Sequence, residues 1–314
     1  MWKVAIFALI SSGYVYGQTR ASEAGIISDN DLYTSTIYDK YYTNGLELYF
    51  RYLNNNTNEK IIKKITEFKI GQYIYNPHTR EADNIYTNDR PFAGYLFVEA
   101  GRNYFYSSES VLKVNVQLGY VGSNSFAEES QRAFHAVFGY KKVQGWQHQI
   151  ENTVAVQANA FYSKKLSAAG GGTILDFHVQ SEVNTGTVLN GISVGILSRI
   201  SLKPLLPVYN SGLYGAALNA DPQFYKTEKE LYFYLSPNLN YQLTDATIQG
   251  SLFGDNSPVT FDLIPFRFQA EAGIKYRTNR WNLSYAFQYR SKEAKNAVIK
   301  SYFYGSICIG YLLN

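Results

Sequence analysis

The sequence predicts an all-β protein, a twelve-stranded antiparallel transmembrane β-barrel with a short external helix between strands 5 and 6. Three observations lead there. Long segments alternate apolar and polar residues with period 2. Aromatic residues make up 16% of the 314, led by 29 Tyr. Short turns such as Thr278-Asn279 alternate along the chain with long polar loops, the asymmetry of an outer-membrane barrel.

The alternation is strict. From Val111 the stretch VLKVNVQLGYVG sets Leu112, Val114, Val116, Leu118 and Tyr120 against Lys113, Asn115, Gln117 and Gly119. LYFYLSPNLNYQL sets Leu231, Phe233, Leu235 and Leu239 against Tyr232, Tyr234, Ser236 and Asn238. FRFQAEAGIKYR sets Phe266, Phe268, Ala270 and Ile274 against Arg267, Gln269, Glu271 and Lys275. One face suits lipid and the other water. A soluble β-sandwich shares this period, but its strands need not reach the nine or more residues of a tilted membrane strand, and it has no use for aromatic girdles at two interfaces.

In order, the strands are expected at residues 23–31, 42–54, 64–76, 92–106, 110–122, 149–163, 173–185, 187–201, 229–243, 265–277, 281–291 and 300–313. Twelve is even, as closure of an antiparallel bacterial barrel generally requires. The first strand ends at Asn30-Asp31, whose side chains bond locally, and the third ends before Pro77, which has no N–H for a ladder. Glu128 to Phe138 reads as the helix. Residues 244–264 are expected as a long external loop.

The N-terminus carries Lys3, an apolar stretch from Val4 to Ile10, and Val15-Tyr16-Gly17 with short residues suited to cleavage before Gln18. Residues 1–17 are therefore expected to be a signal peptide and 18–314 the barrel. Removing them takes away one Lys and no acid, so the formal charge falls from +4 to +3. That is a mild bias toward anionic partners, and no nucleic-acid partner is expected. No run approaches about eighteen apolar residues, which excludes a helical membrane protein. The single Cys308 has no internal disulfide partner.

Strand parity gathers the polar clusters. With the N-terminus periplasmic, Asn30-Asp31, Tyr42-Thr43-Asn44-Gly45, Asp89-Arg90-Pro91, the helical Gln131-Arg132-Ala133-Phe134-His135 and Gln149-Ile150-Glu151-Asn152 all fall at the outer rim. Asn30-Asp31 and Asn44-Gly45 also fit plain turn chemistry. Asp89-Arg90 fits a structural ion pair at the rim. Asp176, His178, Gln180 and Glu182 face inward, where a hydrogen-bond network is the simplest use for them. The other inward charges, Lys113, Arg267, Glu271, Lys275 and Arg290, are expected to pair across a filled lumen.

The motifs ISDND…YDKYYTNG, GQYIYNP, NDRPFAGYLF, LGYVG…EESQRAFH and GWQHQIEN stand in an order and spacing that resembles the outer-membrane lipid A 3′-O-deacylase family. The match is close over about the first half of the chain, with generic strands beyond it. What the resemblance implies is an outer-membrane enzyme, a carboxylic ester hydrolase with a Ca²⁺-dependent site at the outer leaflet. Its substrate would be lipid A of lipopolysaccharide, from which the 3′-linked acyloxyacyl group is removed.

Residue by residue, the resemblance makes Asn30 and Asp31 the metal-holding pair, and their hard oxygens suit Ca²⁺. His135 matches the catalytic His and would act as general base on water, since an imidazole takes and returns a proton near neutrality. Gln131, one turn earlier on the same helix face, would orient His135 or the water. Thr43 would offer a hydroxyl to substrate or metal, and Asn30 would also serve in catalysis. The substrate contacts are expected at Arg80, Arg90 and Arg132, although the family's basic residues after the third strand have only Arg80 in their place. Two alternatives remain open: a phospholipase pairing His135 with Ser123, Ser125 or Ser130, and a porin or structural barrel without activity.

Overall fold

In the computed structural model the chain closes a barrel of twelve antiparallel strands in sequence order, with the first strand paired to the last. The structure describes residues 21–34, 41–78, 82–139, 143–166, 172–221, 223–224, 228–254, 256–298 and 300–313. The expected signal peptide lies outside them. The strands are β1 (Ser22–Asn30), β2 (Tyr41–Asn54), β3 (Ile61–Asn76), β4 (Ala93–Tyr106), β5 (Ser110–Val121), β6 (Thr153–Lys165), β7 (Leu175–Gly186), β8 (Leu189–Ile200), β9 (Glu230–Asp245), β10 (Phe266–Thr278), β11 (Trp281–Ser291) and β12 (Ser301–Leu312). Helix α1 (Ala127–Phe138) follows β5, and the one-turn helix α2 (Ala246–Gln249) follows β9. The seam is in full register, from Glu23 opposite Leu312 to Asn30 opposite Gly305. No backbone edge is left for aggregation.

The alternation sorts the wall as expected. Val116, Leu118, Phe233, Leu235 and Leu239 are exposed on the outside, where lipid would cover them. Tyr241 and Phe266, with ring centroids 4.7 Å apart, mark one end of the lipid face, and Trp281 and Tyr311, 4.8 Å apart, mark the other. The tyrosines do not all serve these girdles. Tyr41, Tyr42, Tyr302 and Tyr304 form a buried cluster with Tyr73 and Tyr75 inside the barrel, where a ring fills volume and its hydroxyl still finds polar partners.

Three departures from the sequence-based expectation concern connections. Residues 149–152 do not extend β6, because Trp146–His148 form a 3-10 turn and the chain joins the sheet only at Thr153. The β7–β8 connection at the outer end is only Thr187-Val188. It is tied by Asn190, which accepts from Gly186 N–H and donates to Gly186 O. At the opposite end the β8–β9 connection is long, and it folds into the lumen. Leu205, Val208, Leu213, Tyr214, Ala216 and Leu218 are buried there against Ile65, Phe105, Val111 and Tyr232. Hydrophobicity in a loop marks such a plug, because a solvated loop has no reason to carry it.

Charges fasten this plug to the wall. Arg199 bonds Asp176 through Nε at 3.0 Å and through Nη2 at 2.5 Å, and its Nη1 donates to Ser211 at 3.1 Å. Glu109 accepts from the Val208 N–H at 3.0 Å, and Glu230 from the Gly212 N–H at 2.9 Å. His178 is buried with Nε2 3.2 Å from Asp176, beside the inward network, but neither ring nitrogen makes the hydrogen bond expected of it. The Tyr214 hydroxyl accepts from Gln180 and meets Ser163. Burial pushes that hydroxyl up to about 12.

Above the plug the lumen is not filled. A cavity of about 440 Å³ is lined by Lys113, Glu182, Glu271, Lys275 and Arg290, with Leu213 and Tyr214 of the plug also in its wall. These charges therefore face shared space, and the expectation that they pair tightly is corrected. Close pairing sits instead at Arg51–Glu23 (2.8 Å), Arg51–Glu67 (3.2 Å) and Lys69–Glu47 (3.3 Å), and Arg267 meets Asp245 at 3.4 Å.

Candidate active site on the outer face of the rim

Strand β1 ends because its last residues satisfy their own neighbours. The Asn30 Oδ1 accepts from the Leu32 N–H at 2.8 Å and caps a 3-10 turn over Asp31–Tyr33. Thr34 returns its N–H and hydroxyl to the Asp31 carbonyl at 3.1 and 2.9 Å. Asn30 and Asp31 are both buried. The turn leans over β12, where a Cβ on Gly305 would come within 2.6 Å of the Tyr33 Cβ, and Tyr285 donates to the Tyr33 carbonyl at 3.1 Å.

Register shows which side of the wall these groups occupy. Asn30 stands opposite Asn44, Asn44 opposite Ile74, and Ile74 opposite Gly94. The same face carries Leu46, Leu48, Ile70 and Val98 lower on these strands, all exposed outward. The row of Asn30, Asn44, Ile74 and Gly94 thus runs across the lipid side of the rim, with neighbours separated by about 4.8 Å. A bulge makes this parity possible. Tyr42 pairs with Tyr75 in the lumen cluster, whereas Asn44 pairs with Ile74 outside, so Thr43 is the extra residue that turns the strand over. Its side chain lies outside the described residues.

Helix α1 covers the other end of this row. Ala127 packs with Ile74, Phe92, Ala82 and Trp146, and a Cβ on Gly94 would lie 1.9 Å from the Ser125 hydroxyl and 2.3 Å from the Ala127 Cβ. Only glycine admits the helix so close to the wall. Gln72 also donates to the Ser125 carbonyl at 2.6 Å. Glu128 and Glu129 suit the first turn of the helix. Gly139, at φ 72, closes the last turn by donating to the His135 carbonyl.

Gln131 and His135 share a face of α1. Gln131 is buried and accepts from the Trp146 indole N–H at 2.8 Å, while His135 is half-buried with its ring beside Phe134. The 3-10 turn bearing Asp31 follows β1 and the helix bearing His135 packs on β3 and β4, so they flank one stretch of wall two to three strand spacings, or roughly 10–14 Å, wide. Arg132 is on the other side of the helix, exposed and paired with Glu128 at i−4. Arg80 lies outside the described residues.

Arg90 corrects two expectations. It makes no ion pair with Asp89, whose carboxylate accepts from the His78 N–H at 2.8 Å. It is also only 1% exposed, which leaves no open guanidinium for a substrate phosphate. Its charge lies over the Tyr75 ring at 4.3 Å and its Nη2 donates to Thr247 at 3.0 Å. It ties the β3–β4 loop to α2, since a guanidinium can stack and donate at once. His148 meets the Asp83 carbonyl at 3.0 Å. Sequence reasoning also passed over Trp146, although Gly145-Trp146 stands in one of the motifs.

The donor set fits a hard cation better than a soft one. Asn30 and Asp31 offer oxygens only, and an amide oxygen already accepting one N–H retains a second lone pair. Among the described residues, no group of three or more His, Cys, Asp or Glu is gathered as a metal cage. Any ion at this pair would take most of its ligands from backbone, water and substrate.

A closed twelve-strand barrel with two lipid-facing girdles and a polar site on its outer rim defines an outer-membrane barrel protein. The family model described as outer membrane protein LpxR matches residues 3–313. The chain belongs to this family. No curated protein matches it in sequence. Among solved structures it is similar to LpxR from Salmonella typhimurium, with TM-score 0.72 and 18% identity over 92% of this chain and 99% of that one. It also resembles the β domain of the Bordetella autotransporter BrkA, with TM-score 0.52 and 9% identity over 94% of this chain and all of that one. These likenesses establish the fold.

Proposed function

We propose that the protein is a lipid A 3′-O-deacylase, a carboxylic ester hydrolase that uses a water molecule activated by His135. The observation that carries this reading is the rim row, with Asn30 and Asp31 at one end and the His135 helix at the other, on the lipid side of the wall of an LpxR-family barrel. A lipid substrate in the outer leaflet reaches such a site sideways, without leaving the membrane. A lumenal site would require extraction of its acyl chains.

In the reaction, His135 takes a proton from water as the oxygen attacks the ester carbonyl carbon. The C=O electron pair moves onto oxygen to give a tetrahedral oxyanion. Collapse breaks the bond to the sugar 3′-oxygen, which receives the proton back from His135, and the acyloxyacyl chain leaves as a carboxylic acid. Asn30 and Asp31 hold the cation, which we propose is Ca²⁺. When bound it supplies positive charge to the carbonyl oxygen. Thr43, next to Asn44 at the bulge, offers a hydroxyl to substrate. Arg132 remains a contact for lipid A phosphate, and Arg90 is replaced in that role by no other described residue.

Two observations weigh against the alternatives. The Ser125 hydroxyl is spent on the Gly122 carbonyl, and the plug closes the path that a porin needs. The test is incubation of the purified protein with lipid A, followed by mass spectrometry. Loss of the 3′-linked acyloxyacyl mass supports the reading, and intact lipid A at high enzyme concentration refutes it.

A further inference from the structure

Trp146 is the largest side chain fully enclosed in the described structure, and it lies beside the helix that carries His135. Its ring packs on Phe92 with centroids 4.9 Å apart and fills a pocket shared with Ile74, Ala82 and Ala127. The chain reaches this pocket through Gly145 at φ 104, where a Cβ would come within 2.2 Å of the Ala82 carbonyl oxygen. An L side chain is excluded there twice, by conformation and by space.

The single polar atom of this ring does something specific. An indole N–H only donates, so the Gln131 atom facing it at 2.8 Å is the amide oxygen. Which end of Gln131 is oxygen is therefore fixed by chemistry. With Oε1 turned to the indole, the Nε2 end of the planar amide, with its two donors, faces the other way. His135 follows one turn later on the same face.

We propose that Trp146 is a positioning residue for the hydrolytic site. It clamps α1 to the wall above Ile74 and Gly94. It also orients the Gln131 amide so that the Nε2 end serves as a donor to an oxygen lone pair, on the attacking water or the substrate carbonyl. The proposal rests on the deacylase reading and gives Gln131 a direction which that reading leaves open.

The test uses the full-length protein refolded in detergent, with heat-modifiable gel migration as the measure of folding and lipid A deacylation as the rate. Trp146→Phe keeps a ring in the pocket and removes the N–H. It should lower kcat per folded molecule by about tenfold to a hundredfold, with KM changed less than about twofold, since a misplaced catalytic group costs rate and not affinity. Gln131→Leu should do the same, and the double variant should be no slower than the slower single one, because both remove one bond. Gln131→Glu retains an acceptor for the indole but loses the donor, and should be as slow as Gln131→Leu. This comparison decides the case even if Trp146→Phe fails to fold.

A parental kcat in folded Trp146→Phe, fully additive losses in the double variant, or a parental rate in Gln131→Glu would overturn the proposal. A folded, fully active His135→Ala measured beside them would instead overturn the role of His135 as general base, and parental protein without any deacylation would overturn the deacylase reading itself.

Discussion

Asp31 and Asn30 perform two tasks with the same few atoms: they stop a strand, and they present oxygens at the rim. The strand is stopped by the amide of Asn30, which accepts from Leu32, and by the backbone carbonyl of Asp31, which accepts from Thr34. Asp31→Ala should leave barrel insertion intact and lower deacylation by roughly 10². Chelation of the parental protein should abolish activity and added Ca²⁺ should restore it, whereas added Ca²⁺ should not rescue Asp31→Ala. Full activity in excess chelator would remove the metal from the mechanism. That Asn30-Asp31 ends a strand and that His135 stands on a helix is legible in the sequence, because short motifs surround them. Arg90 and Thr43 show where such reading stops. A buried guanidinium over Tyr75 and an exposed one look alike in a sequence, and the bulge at Thr43 is visible only once Tyr42 and Asn44 are seen on opposite sides of the wall.

At the scale of elements, the strands are the most legible part, because period 2 records lipid on one side and water on the other. Their ends shift by up to four residues, as at β6, where Trp146–His148 take the chain into a 3-10 turn. Val116 sits in the middle of β5 facing outward. Val116→Arg should cost about 2–4 kcal/mol of stability in bilayers, read from urea unfolding, whereas the same change at a water-exposed position would cost far less. The plug is the least legible element: Leu205, Leu213 and Leu218 mark a connection that is not solvated, but no period in it says against which wall residues they pack. Its anchor is a buried ion pair. Asp176→Ala would strand the fully enclosed Arg199, and should lower stability by about 3–5 kcal/mol while the rate per folded molecule stays parental. An unchanged unfolding midpoint would show that the plug is held by its apolar contacts alone.

The whole molecule is a barrel plugged inside, with its proposed site outside. The plug and the tyrosine cluster bracket a polar cavity, so the protein in a planar bilayer should show no steady ohmic current, and a constant conductance would contradict that picture. The proposed chemistry lies at the outer rim, where the 3-10 turn at Asp31 and helix α1 flank a strip of strand ends. The most direct measurement is mass spectrometry of lipid A from cells making either the parental protein or His135→Ala, at equal amounts of heat-modifiable, folded barrel. The parental cells should show lipid A lacking its 3′-linked acyloxyacyl group, and the His135→Ala cells should retain it, with turnover lower by roughly 10² or more. Equal deacylation in both would contradict the account of His135 as the base.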